Sequence, residues 1–275
     1  MKNNQEILNV DNLTISFTQY VKGLRTKKIT PIKSLNVSIN AGEILAVIGA
    51  SGSGKSLLAH AILGILPNNA TCGGNITYCG EPLTEKRKAA LRGKEISFIP
   101  QSVNYLDPLM KVSDQVKIGL PKKEASQKQR ELFIRYGLKE GDGNLYPFQL
   151  SGGMLRRVLF ATSVRDNIKL VIADEPTPGI HPEALSAILN QLRTFADEGA
   201  AVMLITHDII SALTVCDRVT VLNDGYTIET TLAENFSEYG ERLQHEYSRA
   251  LWNALPQNSF STYKEVKTCL SKEII

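Results

Sequence analysis

Gly49-Ala50-Ser51-Gly52-Ser53-Gly54-Lys55-Ser56 is the stretch that decides how this chain folds. It follows an apolar run, Ile44-Leu45-Ala46-Val47-Ile48, and leads into Leu57-Leu58-Ala59-His60-Ala61-Ile62-Leu63, whose apolar residues have helical spacing. Strand, glycine-rich turn and helix in that order are the setting of a phosphate-binding P-loop. The glycines let the backbone wrap closely around a polyphosphate with its N–H groups turned inward. The following helix adds the positive end of its dipole. In such a loop Lys55 reaches the outer phosphates and Ser56 offers a hydroxyl to Mg²⁺, while Gly49, Ser51, Gly52, Ser53, Gly54 and Leu57 complete the cradle. The same letters could sit in a flexible surface loop, but the flanking strand and helix argue against it.

The 275 residues are 43% hydrophobic and 21% charged, enough apolar sequence for one large domain with a lobe or appendage. A net charge of +3 with scattered basic residues leaves no nucleic-acid footprint. The densest basic pieces, residues 22–28 and 86–88, are expected on solvated turns. No apolar run is long enough to span a bilayer, and the first six residues lack the apolar core of a signal peptide, so a cytosolic location is expected. Cys72, Cys79, Cys216 and Cys269 form neither a CxxC pair nor a Cys/His cluster and are expected as free thiols.

Taken in order, residues 7–17 alternate with Leu13, Ile15 and Phe17 on one face, and residues 32–39 alternate again. Together they predict an antiparallel β-subdomain ahead of the P-loop strand. Phe17 is the first choice for an aromatic that stacks on adenine, Tyr20 the second. Pro67 is expected to close the P-loop helix and Gly73-Gly74 to mark a turn before a short strand at 75–80. A charged helix at 84–92 and a strand at 95–100 follow. From residue 102 to about 165 helical patterns dominate, at 112–118, 126–136 and 154–163, which predicts a helical lobe inserted into the α/β core. Residues 169–175 return to a buried strand ending Asp174-Glu175. An amphipathic helix at 182–198 precedes the apolar strand 200–206, which ends at His207-Asp208. Strands alternating with helices predict a mostly parallel sheet covered on both faces, with ligand groups at the carboxyl ends of its strands. Gln101, Asp174, Glu175 and His207 all fall at such ends.

Leu150-Ser151-Gly152-Gly153-Met154 adds the fourth element of an ordered set: P-loop, LSGG run, apolar strand ending Asp-Glu, and a lone His after another apolar strand. Over most of residues 7–230 that set resembles the ATP-binding-cassette ATPases. The resemblance implies an α/β P-loop NTPase (RecA-like) core with an N-terminal antiparallel β-subdomain and an inserted helical subdomain. It implies ATP and Mg²⁺ as ligands and a head-to-tail pair of cassettes, each ATP lying between one P-loop and the other subunit's LSGG run. By that resemblance Ser151, Gly152 and Gly153 face the partner's γ-phosphate, and Asp174, with Ser56 and Gln101, attends the metal. Glu175 is the general base, Gln101 senses Mg²⁺ and the γ-phosphate, and His207 is the switch histidine. One departure stands out: His181 occupies the position where the family carries an aspartate that addresses the opposite nucleotide site. A non-identical partner cassette would tolerate that replacement more easily than an identical one.

The run from Tyr146 to Met154 is similar to the oligopeptide, dipeptide and nickel importer ATPases, in which LSGGM is common. The tail His245-Glu246-Tyr247-Ser248-Arg249-Ala250-Leu251 is similar to their HPYTRAL segment, with Glu246 in place of proline. Only Cys269 stands where some relatives bind an iron–sulfur cluster, so that feature is not carried over. The resemblance implies an ATPase subunit at the cytoplasmic face of the cell membrane, working with a second cassette, two membrane permeases and an extracytoplasmic substrate-binding protein. Nickel, a metal chelate or short peptides are the expected cargo, nickel slightly ahead. A regulatory ATP-binding clamp and a soluble ABC ATPase without a membrane partner are the competing expectations. The ATPase domain is expected at residues 1–240 and a C-terminal helical extension at 241–275.

Overall fold

The structure, a computed structural model, describes residues 5–21, 25–163, 167–176, 182–237 and 239–255. In chain order these residues form β1 (Glu6–Tyr20), β2 (Thr26–Asn40), β3 (Ile44–Gly49), α1 (Lys55–Leu63), β4 (Ala70–Tyr78), β5 (Glu81–Pro82), α2 (Glu85–Leu91) and β6 (Ile96–Ile99). They continue with α3 (Val112–Lys117), α4 (Ala125–Arg135), α5 (Gly152–Ser163), β7 (Leu170–Asp174), α6 (Pro182–Asp197), β8 (Ala201–Ile205), α7 (Ile209–Leu213), β9 (Arg218–Asn223), β10 (Tyr226–Leu232) and α8 (Glu246–Asn253).

The period-2 geometry of a strand sends the apolar residues of β3 to opposite faces. Ile44, Ala46 and Ile48 join one core with Val158 of α5, Leu192 and Phe195 of α6, and Ile209 of α7. Leu45 and Val47 join another, with Leu58 and Ile62 of α1 and with Leu13, Ile15, Leu35 and Ile39 of β1 and β2. A strand covered on both faces needs an unbroken apolar run, and β3 has one.

Among the described residues the sheet order is β5-β4-β1-β2-β10-β9-β3-β8-β7-β6. From β9 through β3, β8, β7 and β6 all pairings are parallel. β1, β2, β4 and β5 pair antiparallel, and the two parts meet where β2 and β10 pair at Ser34 and Tyr226. This is the P-loop NTPase core with an antiparallel subdomain beside it. The expected inserted lobe has helices and no strand among its described residues: Val112 and Val116 of α3, Phe133 of α4 and Phe160 of α5 share one core.

Several local expectations are corrected. α1 ends at Gly64, which adopts φ 67° and caps the helix by donating to the Ala61 carbonyl; Pro67 lies beyond it. Gly73-Gly74 is not a turn but the middle of β4. There Gly74 has φ 87°, and a Cβ on it would lie 2.3 Å from the Asn12 carbonyl oxygen, so the pair accommodates an irregularity in β1. Lys27 and Lys28 are strand residues paired with Gln19 and Thr18. Residues 86–88 lie on α2, where Lys88 is buried with its ammonium 2.6 Å from Glu85. β9 and β10 form an antiparallel hairpin across Asp224-Gly225, a turn signal between two apolar runs that the expectations above do not include.

Candidate functional site

Parallel pairing aligns the carboxyl ends of β3, β8, β7 and β6 along one edge, and the sheet order sets their neighbours. The P-loop leaves β3, His207 follows β8, Asp174-Glu175 ends β7, and Gln101 follows β6. Ser51, Gly52, Gly54, Lys55, Ser56, Leu57, Gln101, Glu175 and His207 line one open cleft of about 430 Å³. That volume suits a small-molecule ligand.

The loop is shaped by close backbone approach. Gly49 has φ 153°, and a Cβ there would lie 2.1 Å from the Leu222 carbonyl oxygen of β9. Gly54, at φ 104°, precedes α1, and no side chain caps that helix, leaving its first-turn N–H groups for an anion. Lys55 is buried and donates to the carbonyls of Gly49 (2.9 Å) and Ala50 (3.1 Å). Burial pushes its pKa down, while Glu175 and Asp174 oppose the shift. Ser53 is buried, and its hydroxyl has no hydrogen-bond partner among the described residues.

Ser56 donates to Asp174 Oδ1 at 3.3 Å, bringing together two hard oxygen donors of the kind Mg²⁺ takes. Asp174 is buried, and that burial raises its pKa against the pull of the Ser56 bond, His60 and Lys55. Glu175 follows with φ 47° and donates its N–H to the Ile205 carbonyl at 2.8 Å, which turns its side chain out of the sheet register. Its Oε2 lies 2.5 Å from Nδ1 of His207, within hydrogen-bond distance.

Other expected residues stand apart. Ser151, Gly152 and Gly153 are exposed at the start of α5, away from the P-loop cleft, with the Ser151 hydroxyl accepting from the Met154 N–H at 3.3 Å. Phe17 is half-buried on β1 and does not line the cleft. Tyr20 ends β1, and its side chain, like His181 and Cys269, lies outside the described residues. Arg156 is a further residue of this region that the sequence expectations do not include. Buried on α5, it donates to the carbonyls of Gln101 (2.9 Å) and Pro100 (3.4 Å) and so ties the helix behind the LSGG run to the Gln101 strand end. No sequence signal marks it, since the contact exists only once the lobe has folded.

The ABC transporter family profile matches residues 32–178. The oligopeptide transport ATP-binding protein OppD of Escherichia coli is 33% identical over 264 residues, which are 91% of this chain and 76% of that protein. OppD of Bacillus subtilis is 35% identical over 276 residues, with 94% and 75% covered. The glutathione import ATP-binding protein GsiA of Escherichia coli is 30% identical, covering 92% of this chain and 42% of that protein. A solved dimeric ATP-binding cassette in a post-hydrolysis state, bound to ADP and Pi, superposes with a TM-score of 0.70 at 25% identity, covering 82% of this chain and 99% of that one. A component of the ABC transporter complex cbiONQ from Clostridium perfringens does so with a TM-score of 0.68 at 29% identity, covering 84% and 90%. With the P-loop cleft, the strand-end residues and the LSGG helix in the same order as the sequence set them out, this chain belongs to the ABC transporter family.

Proposed function

We propose that this chain is the ATP-hydrolysing subunit of an importer of oligopeptides. The observation that carries the enzymatic part is the cleft where Lys55, Ser56, Gln101, Glu175 and His207 converge over buried Asp174. The cargo rests on the names of the OppD relatives. Nickel has no comparable support.

In this reading the loop from Gly49 to Leu57 cradles the phosphates of ATP, Lys55 neutralises the outer ones, and Phe17 offers an aromatic face to adenine. Ser56 and Asp174, with Gln101, hold Mg²⁺, which supplies charge neutralisation on the phosphate oxygens. Glu175 accepts the proton of the attacking water as the bond between the γ-phosphorus and the bridging oxygen breaks. His207 orients that carboxylate. Ser151 to Gly153, facing away from their own cleft, complete the site of a second cassette; the departure at His181 favours a non-identical one.

Membrane permeases and a substrate-binding protein complete the assembly at the cytoplasmic face of the membrane; among the described residues no helix is long and apolar enough to cross it. A second groove, about 560 Å³, runs between the core and the helical lobe past Phe98, Tyr105, Leu106, Ile118 and Leu159, and suits a short helix from a permease. Residues 1–240 then form the ATPase domain and 241–275 its extension. A regulatory clamp without turnover fits less well, because Glu175 and His207 already meet at the cleft.

Uptake of a labelled oligopeptide and of nickel in a deletion strain, complemented with wild type or Glu175→Gln, tests the proposal. Peptide uptake restored by wild type alone is the expected result. Restoration by both, or of nickel uptake only, would overturn the base assignment or the cargo respectively.

A further inference from the structure

The last residue of β6 to pair with β7 is Ile99, opposite Ala173, and the chain bends at Gln101. Pro100 ends the ladder because it has no N–H with which to continue it, but that alone leaves the direction of the next residue open. In an extended strand successive carbonyls point to opposite sides. Those of Pro100 and Gln101 instead both accept from a single nitrogen, Nη1 of Arg156, at 3.4 and 2.9 Å. The backbone has to turn for this to happen. The turn sends two consecutive residues to different places: Pro100 lines the groove beside the lobe, and Gln101 lines the P-loop cleft.

The arm that holds this turn is anchored at its base. Arg156 is buried on α5, and Val158 and Leu159 just beyond it belong to the core. Its neighbour Arg157 reaches the other way and donates to the Gly137 carbonyl of the lobe at 2.8 Å. At the far end of α5 the Ser163 carbonyl accepts from the hydroxyl of Ser97 on β6 at 2.5 Å. α5 is thus tied to the β6 segment at both ends. Burial pushes the pKa of Arg156 down, yet a guanidinium starts so high that it keeps its charge at ordinary pH. Hydrogen bonds from a charged donor are stronger than neutral ones, so this side chain holds the two carbonyls more firmly than an uncharged one would.

We propose that Arg156 is a positioning residue for Gln101: by gripping the carbonyls on either side of the Gln101 Cα it fixes the two peptide planes that aim the Gln101 side chain into the cleft, and so sets what that amide contributes to Mg²⁺. This rests on the reading of Gln101 as one of the groups that hold the metal. Mg²⁺ demands near-ideal octahedral geometry, which leaves little tolerance in where an oxygen donor stands. A side chain whose direction is already set also gives up less conformational entropy when the metal and ATP arrive.

The test uses the full chain and measures Kd for ATP by calorimetry with Mg²⁺ and with EDTA; the ratio of the two is the gain that the metal brings. Arg156→Met keeps an unbranched stem and removes the guanidinium. Its gain is expected to fall about fivefold, the effect of one ordinary hydrogen bond, with Kd in EDTA at the wild-type value. Gln101→Ala is expected to lose at least as much, and the double variant no more than Gln101→Ala alone, because Arg156 acts through the residue already removed. Arg156→Lys, which can still reach one carbonyl, is expected to recover part of the gain and keeps the idea testable if Arg156→Met folds poorly. An arginine that only holds α5 in place would lower the urea midpoint and leave the gain at its wild-type value in both variants; that result overturns the inference, as do additive losses in the double variant. If Lys55→Ala binds ATP normally, the loop is not the ATP site, and if Gln101→Ala keeps the full gain, Gln101 does not attend the metal; in either case the inference falls with the reading beneath it. If both of those variants lose what is expected while Arg156→Met keeps the full gain, only the role of Arg156 fails.

Discussion

Glu175 and His207, 32 positions apart in the chain, meet at 2.5 Å across the carboxyl ends of β7 and β8. The carboxylate is mostly shielded and the ring largely exposed, with side-chain exposures of 12% and 67%. A shielded carboxylate held by one exposed ring has its orientation set by that ring.

His207→Ala is therefore expected to cut ATP turnover roughly 10²-fold through misplacement of the base, with ATP affinity close to wild type. Glu175→Gln removes the carboxylate proposed as the base and should cost about 10²–10⁴ in turnover. Steady-state hydrolysis by the assembled transporter measures both. Turnover in the histidine variant equal to wild type would leave the Glu175 carboxylate without need of its partner.

Burial raises the pKa of Asp174. A carboxyl raised in the fold keeps its proton there longer than in the unfolded chain, so its contribution to stability is present below the ordinary carboxylate pKa and is lost as pH rises through the raised value. Asp174→Asn removes that loss. Without nucleotide it is expected to unfold at higher urea than wild type at neutral pH, with the advantage fading toward acid. Urea titrations across that range measure it, and a variant less stable than wild type at neutral pH would contradict the burial argument. Turnover should fall in the same variant, because the negative charge proposed to face Mg²⁺ is gone.

Gly49→Ala places a Cβ 2.1 Å from the Leu222 carbonyl oxygen, a rigid neighbour in β9. The loop or the strand must shift, at a cost of about 1–3 kcal/mol. Reduced ATP affinity together with a lower urea midpoint is the expected outcome. Unchanged values for both would mean that the corner yields freely.

Glu229→Ala leaves the N–H groups of Gln244 and His245 without their carboxylate. Bonds to a charged acceptor are worth more than neutral ones, so a loss of about 2 kcal/mol is expected, with Trp252 emission shifting toward that of exposed indole. Equilibrium unfolding followed by fluorescence checks it; a wild-type midpoint would show that the helix holds without the clamp.

The P-loop was fully legible in the sequence because strand, turn and helix are contiguous there and each local preference agrees with its neighbour. The buried strands β3, β7 and β8 were legible for a related reason: only a doubly covered strand needs such a run. Errors gathered where long-range pairing decides local shape. Gly73-Gly74 reads as a turn until β1 lies beside it with the Asn12 irregularity, and Lys88 reads as solvated until α2 packs.

By itself, the sequence determined the glycine-rich loop between β3 and α1, the helix behind the LSGG run and the order of the strand-end residues, since each depends on a few consecutive residues and their periodicity. Tertiary structure alone decided that His207 holds Glu175, that Ser56 reaches Asp174 from 118 positions away, and that Arg156 ties α5 to Gln101. These contacts follow from which strands are neighbours in the sheet and how helices pack on it. That arrangement is fixed by burial of the two cores and backbone pairing across the whole chain, which no local stretch encodes.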